Sequence, residues 1–577
     1  MALLLKKVER PRELKWYQAS SMLYGDWGTS KAYVLGLAFA IAGHASLFFL
    51  LAMSVLTAVI GLCYIIICKA YPEGGGVYSA VRLRSRTLAV IGALLLVADY
   101  VVTAALSSIE AFHYFGISHP ELWAMGALAV IGIINIVGPT KSGNVATVIA
   151  VVVMFLLGML CLSVLPHLRS VQITVPEGSL FSNWTKYVGI VLALSGVEAI
   201  ANVTGIMQEP VGKTAKKAIL PVLLEVTVVS LILGAAMNAI PGLTDHTEDM
   251  IRVIGDYYIG TWFGKLIAVM LGFLLLSACN TAIMGLISIL FLMSKDKELP
   301  PLFSNLNRYG MPWFGLLVAT AAPVVVLAMD HDIRHLAALY AIGVVGAITI
   351  NLGACFSNSN LNIKWHERVA LGAAAAVMFL IELTIIYQKP NAVVFAGCIL
   401  TAGLSARAVG QWAEKRRPVV VPEVLGINVL TIEEARDLMP LYKGSTLVAI
   451  KAVSATLIEE AVVHARGKGE KVVYVLYVEE KPPGWAYPTE VEPSKDAVSV
   501  LNEAVQAFEQ KVVTAVPLWT LGDNAGGLIV KTAKDLNLDT VMIGSTKRGA
   551  LERLLRGEVL KNITEQLPQE KHLIICN

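Results

Sequence analysis

Charge is scarce in this chain. Only 15% of its 577 residues are Asp, Glu, Lys or Arg, 56% are hydrophobic, and the mean hydropathy is +0.66. A soluble globular protein carries roughly 25% charged residues, so the deficit excludes that class and leaves a multi-span membrane protein. The net charge of +3 is close to neutral, and no basic patch is interleaved with aromatics; no nucleic-acid partner is expected. Cysteine is sparse and unpatterned. Cys63, Cys68, Cys161, Cys279, Cys355, Cys398 and Cys576 make no CxxC and no metal-ligand spacing, so they read as buried thiols, with no disulfide framework and no resident metal centre. A small-residue cleavage site is also missing after the short basic stretch 1–15, so the first span reads as an uncleaved targeting signal.

What the chain does have is apolar runs of about twenty residues. They fall near 19–42, 46–68, 88–113, 122–137, 145–165, 184–205, 219–240, 263–293, 313–329, 336–356, 367–387 and 391–412, which makes twelve candidate spans. Lys and Arg cluster before span one (Lys6, Lys7, Arg10, Arg12, Lys15), after spans two (Arg82, Arg84, Arg86), six (Lys213, Lys216, Lys217) and eight (Lys295, Lys297, Arg308), and at and after the end of span twelve (Arg407, Lys415, Arg416, Arg417). Those loops therefore lie on one side, the cytoplasmic one, together with both termini. The loop 242–262, with Asp245, Glu248, Asp249 and Asp256, reads as external.

The first span is not uniformly apolar. Tyr24-Gly25-Asp26-Trp27-Gly28-Thr29-Ser30-Lys31-Ala32-Tyr33 sets two glycines around an aspartate, so the helix is expected to unwind there and bare carbonyls beside a carboxylate. Irregular backbone at membrane depth is tolerated only in protein or against a cavity, and an ionisable residue there points to function. Span six repeats the design in Leu194-Ser195-Gly196-Val197-Glu198, five spans later. An odd number of spans per repeat inverts the second copy, which gives a five-plus-five inverted repeat with broken helices one and six. Spans eleven and twelve, carrying Glu382, are left over for packing or for a homodimer contact.

In span three, Asp99, Thr103, Ser107 and Glu110 recur at i, i+4, i+8 and i+11, one helix face. An acid at a helix centre costs roughly 2.5–3.5 kcal/mol on insertion scales. Asp26, Asp99 and Glu198 together call for something cationic to offset them. Carboxylates, the hydroxyls of Thr103, Ser107 and Ser195, the phenols of Tyr33 and Tyr100 and freed carbonyls suit a hard alkali cation, not a transition metal. Proton coupling is assigned to Glu198 and Asp26, since three acids exceed the charge of one monovalent ion. Ser277, Asn280 and Thr281 form a polar turn of span eight, either a second cation site or interhelical glue. Tyr340, near the start of span ten, reads as an interfacial anchor on position alone.

These segments resemble known permeases. Tyr24 to Tyr33 is similar to the YGDxGTSxxY signature of the Kup-type potassium uptake permeases. Ala70-Tyr-Pro-Glu-Gly-Gly-Gly-Val-Tyr78, Asp99-Tyr-Val-Val-Thr103, Gly196-Val-Glu-Ala199 and Leu339-Tyr-Ala-Ile-Gly343 resemble motifs of the related KimA-type importers. Both groups belong to the amino acid, polyamine and organocation superfamily. The resemblance covers 1–415 and implies potassium uptake with protons across the cytoplasmic (inner) membrane. The potassium ligands it implies are Asp26, Tyr33, Asp99, Tyr100, Thr103, Ser107, Ser195, Glu198 and Tyr340. Ser195 stands where the KimA type has threonine. Lys31 departs from the pattern: a fixed cation there repels a transported one unless it points to the external vestibule or pairs with an acid. The rival reading is an amino acid or amine permease of the same superfamily, which a carboxylate at position 26 opposes by repelling the substrate carboxylate. A membrane sensor built around a nucleotide domain is a third. None of these is an enzyme.

Past Arg417 the composition changes. Charges return, Pro418 and Pro422 mark a linker over 416–443, and strand-length runs at 446–451, 471–478, 514–520, 540–544 and 572–576 alternate with helical patterns. That is a doubly wound, parallel α/β domain over 444–577, with a Pro-rich flexible connection at 481–493. It resembles the universal stress protein family, which implies an adenine nucleotide (ATP, AMP or cyclic di-AMP) at Gly544, Ser545, Lys547, Gly549 and Gly557. Lys547 replaces a glycine of that motif, Glu558 a hydroxyl, and Ala452 stands near where an aspartate meets the adenosine. A dimerisation module without nucleotide is the alternative.

Overall fold

The computed structural model describes residues 8–576, except 10–11, 13, 73, 83, 137–141, 171–173, 195, 244–245, 247, 308, 417–428, 431, 433–434, 437–443, 481–489, 492, 523, 545–558 and 569. Helices form wherever the apolar runs are long. The membrane part comprises α1 (Trp16–Asp26), α2 (Ser30–Ala42), α3 (Ser46–Ala70), α4 (Val77–Val81), α5 (Arg86–Tyr114), α6 (Pro120–Asn135), α7 (Ser142–Val164) and α8 (Leu180–Gly189). It continues with α9 (Ala199–Asn202), α10 (Val211–Ala239), α11 (Met250–Tyr258), α12 (Thr261–Lys295), α13 (Trp313–Met329), α14 (Ile333–Ser357), α15 (Trp365–Gln388) and α16 (Pro390–Arg416). Among the described residues, eight segments are long and apolar enough to cross a membrane. One of them, Trp16–Ala70, runs from α1 through α3, and two shorter apolar helices, α6 and α13, stand beside these eight.

The start of α5 is set by Ser85, whose Oγ accepts from Leu88 N at 3.2 Å, and that of α14 by Asp332, which accepts from Arg334 N at 2.7 Å. Both caps satisfy donors that have no partner within the helix. The centre of the bundle is α5, packed on α12 and α14, with 89% of its apolar window inside the protein. At the other extreme is α16, with 11% inside, so spans eleven and twelve lie towards the periphery. One consequence corrects the reading of the thiols: Cys398, on α16, is exposed, whereas the other six are buried.

The C-terminal domain has a five-stranded sheet in the order β5 (Thr514–Gly522), β3 (Val472–Glu480), β2 (Thr446–Ile450), β6 (Thr540–Gly544), β7 (His572–Cys576), every pair parallel. Side chains alternate across it, as the strand period requires. Val448, Val473, Val475 and Tyr477 face one apolar layer with Leu457, Leu501 and Phe508 of the helices Ala455–Gly467 and Lys495–Glu509. Leu447, Tyr474 and Leu476 face the other, with Ile529 and Ile563 of Ala525–Asp535 and Val559–Gln566. Parallel strands covered on both faces make this doubly wound. The connection at 481–493 is not wholly irregular: Glu490–Val491 form β4, which pairs antiparallel with β1 (Val8–Glu9). Leu430, from the linker, bridges Leu518 at the sheet edge.

Candidate ion-binding site

The first break is narrower than the sequence implies. After Asp26 the chain tightens into a single 3-10 turn, Trp27–Thr29, and resumes as α2. The freed carbonyls are not bare, because the hydroxyls next in sequence take them. Thr29 Oγ1 donates to Asp26 O at 2.6 Å and Ser30 Oγ to Trp27 O at 2.7 Å. Thr29 and Ser30 thus cap backbone.

The second break is a true interruption. α8 passes through a 3-10 turn at Val191–Leu194, and helix resumes only at Ala199. Gly196 has φ +91°, and a Cβ there would lie 2.5 Å from Trp27 N and 2.8 Å from Trp27 Cα. Only glycine supplies both that conformation and that approach, so the two breaks touch backbone to backbone. Glu198 Oε1 accepts from Gly196 N at 3.3 Å, which turns the carboxylate back over its own break.

Opposite lies α5. Asp99, Thr103, Ser107 and Glu110 are all buried, as the spacing predicts. Thr103 Oγ1 donates to Asp99 O at 2.8 Å and lies 3.3 Å from Asp99 Oδ1. The Asp99 and Glu198 carboxyls face each other within hydrogen-bonding reach, and Asp26 is the other acid acting on Asp99. Asp99 Oδ2 and Glu198 Oε2 are buried without a donor. Two buried carboxyls in contact, each with an orphaned oxygen, need a proton or a cation between them. Gly343 of α14 brings that helix close, since a Cβ there would lie 2.8 Å from Asp99 N. This places Tyr340, 1% exposed, among Asp99, Tyr33, Asp26 and Glu198. Tyr340 is therefore a residue of the interior and not an interfacial anchor. Tyr33 is buried on α2, and the Tyr100 phenol oxygen accepts from Asn202 Nδ2 at 3.0 Å.

Lys31 is buried on α2 with an acid beside it. Its Nζ lies 2.7 Å from both oxygens of Glu225, a residue of α10. Of the two ways in which a lysine is compatible with a nearby cation, the structure takes the ion pair.

Below the breaks, the Gly74-Gly75-Gly76 loop is fastened to span six. Gly75 N donates to Ala201 O at 3.0 Å and lies 3.1 Å from Thr204 Oγ1, while Asn351 Nδ2 donates to Gly75 O at 3.1 Å. Beyond Glu110, a cavity of about 620 Å³ is lined by His113, His246, Glu248, Asp249, Asp332 and Arg334, among others. There His113 Nδ1 lies 2.9 Å from Glu248 Oε2, and His246 Nδ1 3.1 Å from Asp249 Oδ1.

Other sites named from the sequence lie partly outside the described residues. Ser195 lies outside the described residues, as do Ser545, Lys547, Gly549 and Gly557; Gly544 ends β6. Asn280 Oδ1 accepts from Asn135 Nδ2 at 2.8 Å, so this member of the Ser277–Asn280–Thr281 turn bonds across helices. Sequence reasoning missed Glu225, Asn202 and Asn351. A lone acid in the apolar run 219–240 was the available signal for Glu225. The two asparagines carry none, because their role depends on neighbours distant in sequence.

Comparison with known proteins gives the family. The family model described as "Amino acid permease" matches residues 14–403, and the one described as "Universal stress protein family" matches 446–570. The chain is 23% identical over 495 residues to "Potassium transporter KimA" of Bacillus subtilis (strain 168), an alignment that covers 80% of each chain. With two broken helices meeting at buried acids inside a helical bundle, the chain belongs to the amino acid permease family, as a multi-pass membrane transporter and not an enzyme, and carries a universal stress protein domain at its C-terminal end.

Proposed function

We propose that this protein imports potassium together with protons across the cytoplasmic membrane by alternating access. The observation that carries the reading is the contact between the Asp99 and Glu198 carboxyls beside Asp26, each of the first two with a buried oxygen that has no donor. A small cation with no carboxylate of its own suits that field. An amino acid in the same place sets its carboxylate against Asp26. The potassium-transporting relative supports the same choice. In this reading the ion is held by oxygens of Asp26, Tyr33, Asp99, Tyr100, Thr103, Ser107, Ser195, Glu198 and Tyr340. Twelve spans, the first ten in two inverted repeats, leave both termini cytoplasmic. The contact between the breaks, and the pairing of the N-terminal β1 with β4 of the C-terminal domain, support that layout.

The C-terminal domain acts in this scheme as a regulator that responds to an adenine nucleotide. In a doubly wound sheet, ligands sit beyond the strand ends where strand order reverses. Here that point lies between β2 and β6, where Lys451 follows one strand and Gly544 ends the other.

The test is uptake of rubidium or potassium by proteoliposomes containing the purified protein, driven by an inward proton gradient without sodium. Accumulation abolished by a protonophore supports the reading. Uptake of an amine or amino acid, with no alkali-cation flux, transfers the protein to the rival one.

A further inference from the structure

An ammonium group has three N–H donors, and the acceptors around Lys31 account for all of them. Nζ lies 2.7 Å from Glu225 Oε1, 2.7 Å from Glu225 Oε2 and 3.3 Å from Tyr24 Oη, and 4.8 Å from the centre of the Tyr24 ring. Tyr24 Oη donates in turn to Glu225 Oε1 at 3.1 Å. The Lys31 side chain is fully buried, and that of Glu225 is 12% exposed.

The arrangement joins three pieces of chain. Tyr24 lies before the first break, Lys31 after it, and Glu225 on span seven. Beside Lys31 is a small hollow of about 20 Å³, lined by Ser30, Ser54, Thr57, Thr227 and Ser230 among others, and Thr227 Oγ1 is buried without a partner. A hollow of that size accepts one water molecule. Two carboxylate oxygens, a phenol oxygen and a ring face around Nζ form a shell of the kind that holds a monovalent cation, with the hydroxyls of the hollow beside it. The shell lies between α1, α2, α3 and α10, apart from the acids of α5 and span six.

We propose that the Lys31 ammonium is a tethered monovalent cation. It fills a second cation site, with Glu225 as its anionic ligand, and so fastens both halves of the broken first span to span seven without a free ion. The pairing also cancels a positive charge that would otherwise act on a transported cation. The proposal stands on the geometry of this shell and holds whatever substrate the transporter carries. Removing the side chain as far as Cβ deletes a propylammonium group, and methylammonium is its charged end, small enough to enter the space left.

The experiment compares melting temperatures of the purified full-length protein in methylammonium chloride and in N-methylglucamine chloride at equal ionic strength, for the wild type, Lys31→Ala and Lys31→Ala/Glu225→Gln. The acids of the central site are present in all three and contribute alike. Lys31→Ala is expected to melt below the wild type and to recover saturably with methylammonium, by about 2 °C or more beyond the wild-type response. The double variant is expected to lack that excess. An equal response of wild type and Lys31→Ala overturns the proposal, as does an excess that survives Glu225→Gln. Where Lys31→Ala is lost during purification, the preparation is repeated with methylammonium present throughout: recovery of folded protein supports the site, and loss under both conditions overturns it.

Discussion

Gly196 rests on Trp27, so that the backbone of the second break seats directly on that of the first, with no room for a Cβ between them. Gly196→Ala meets two penalties. The residue must hold φ +91°, which costs about 1–3 kcal/mol for a non-glycine, and its methyl group must push the two breaks apart. The expected outcome is a protein that inserts but melts several degrees lower and transports at background, read by a melting curve and by proteoliposome uptake. Wild-type uptake by this variant shows that the contact between the breaks is dispensable.

The central acids should be equally intolerant of neutralisation. Asp26→Asn, Asp99→Asn and Glu198→Gln keep shape and remove one negative charge each from a site that, in the proposed reading, strips water from a cation. Loss of one charged ligand is worth on the order of 3 kcal/mol, about a hundredfold in apparent affinity. Proton-driven uptake should fall to background in all three while the membrane-inserted yield holds. Near-normal uptake by any two of them means that the ion does not bind where Asp99 and Glu198 face each other.

Much of this site is legible in the amino-acid sequence, for a definite physical reason. A polar group in a greasy run is anomalous wherever it stands, so Asp26, Asp99 and Glu198 stand out singly, and the spacing of Asp99, Thr103, Ser107 and Glu110 places them on one face. The parallel strands are equally legible, because their apolar runs are short and bounded by Gly, Pro and charge. Which residues meet across the bundle is not. Glu225 lies 194 residues from Lys31, and Asn351 lies 276 from Gly75. Tyr340 reads as interfacial because its place near the start of a span says nothing about rotation, and the close seat of Gly343 on Asp99 turns it inward. The carbonyls of the first break read as bare, although a hydroxyl just after a break has a carbonyl near to hand.

A stability prediction concerns the outermost helix. Arg407 Nε of α16 lies 2.5 Å from Glu298 Oε2, just past the end of α12, and the Glu298 side chain is 4% exposed. Breaking a buried pair from one side leaves an uncompensated charge, at a cost of about 3–5 kcal/mol. Arg407→Leu should therefore lower the melting temperature clearly, and Arg407→Leu/Glu298→Gln should recover most of the loss. If the double variant is no better than the single one, the pair acts through the packing of the arginine stem and not through its charge.

Energy coupling follows from the surplus of acid. In the proposed reading Asp26, Asp99 and Glu198 offer three negative charges to one potassium ion, and the contact between Asp99 and Glu198 does not keep both ionised without a positive charge between them. A proton carried with the ion resolves the excess. Glu198 is the acid best placed to carry it, because it hangs on the interrupted helix through its own break at Gly196, and a change of charge there bears directly on the segment that alternating access must move. An inward proton gradient without sodium should then accumulate rubidium in vesicles, with uptake rising as the external pH is lowered. Glu198→Gln mimics the protonated acid permanently. It should lose accumulation driven by the gradient but keep rubidium–rubidium exchange, which needs the ion to cross and not the proton. Loss of both activities with folding intact makes Glu198 an ion ligand alone. Accumulation that requires sodium and ignores a protonophore removes proton coupling and moves the coupling ion to another site, with the hydroxyls of Ser277 and Thr281 in span eight as the first place to look.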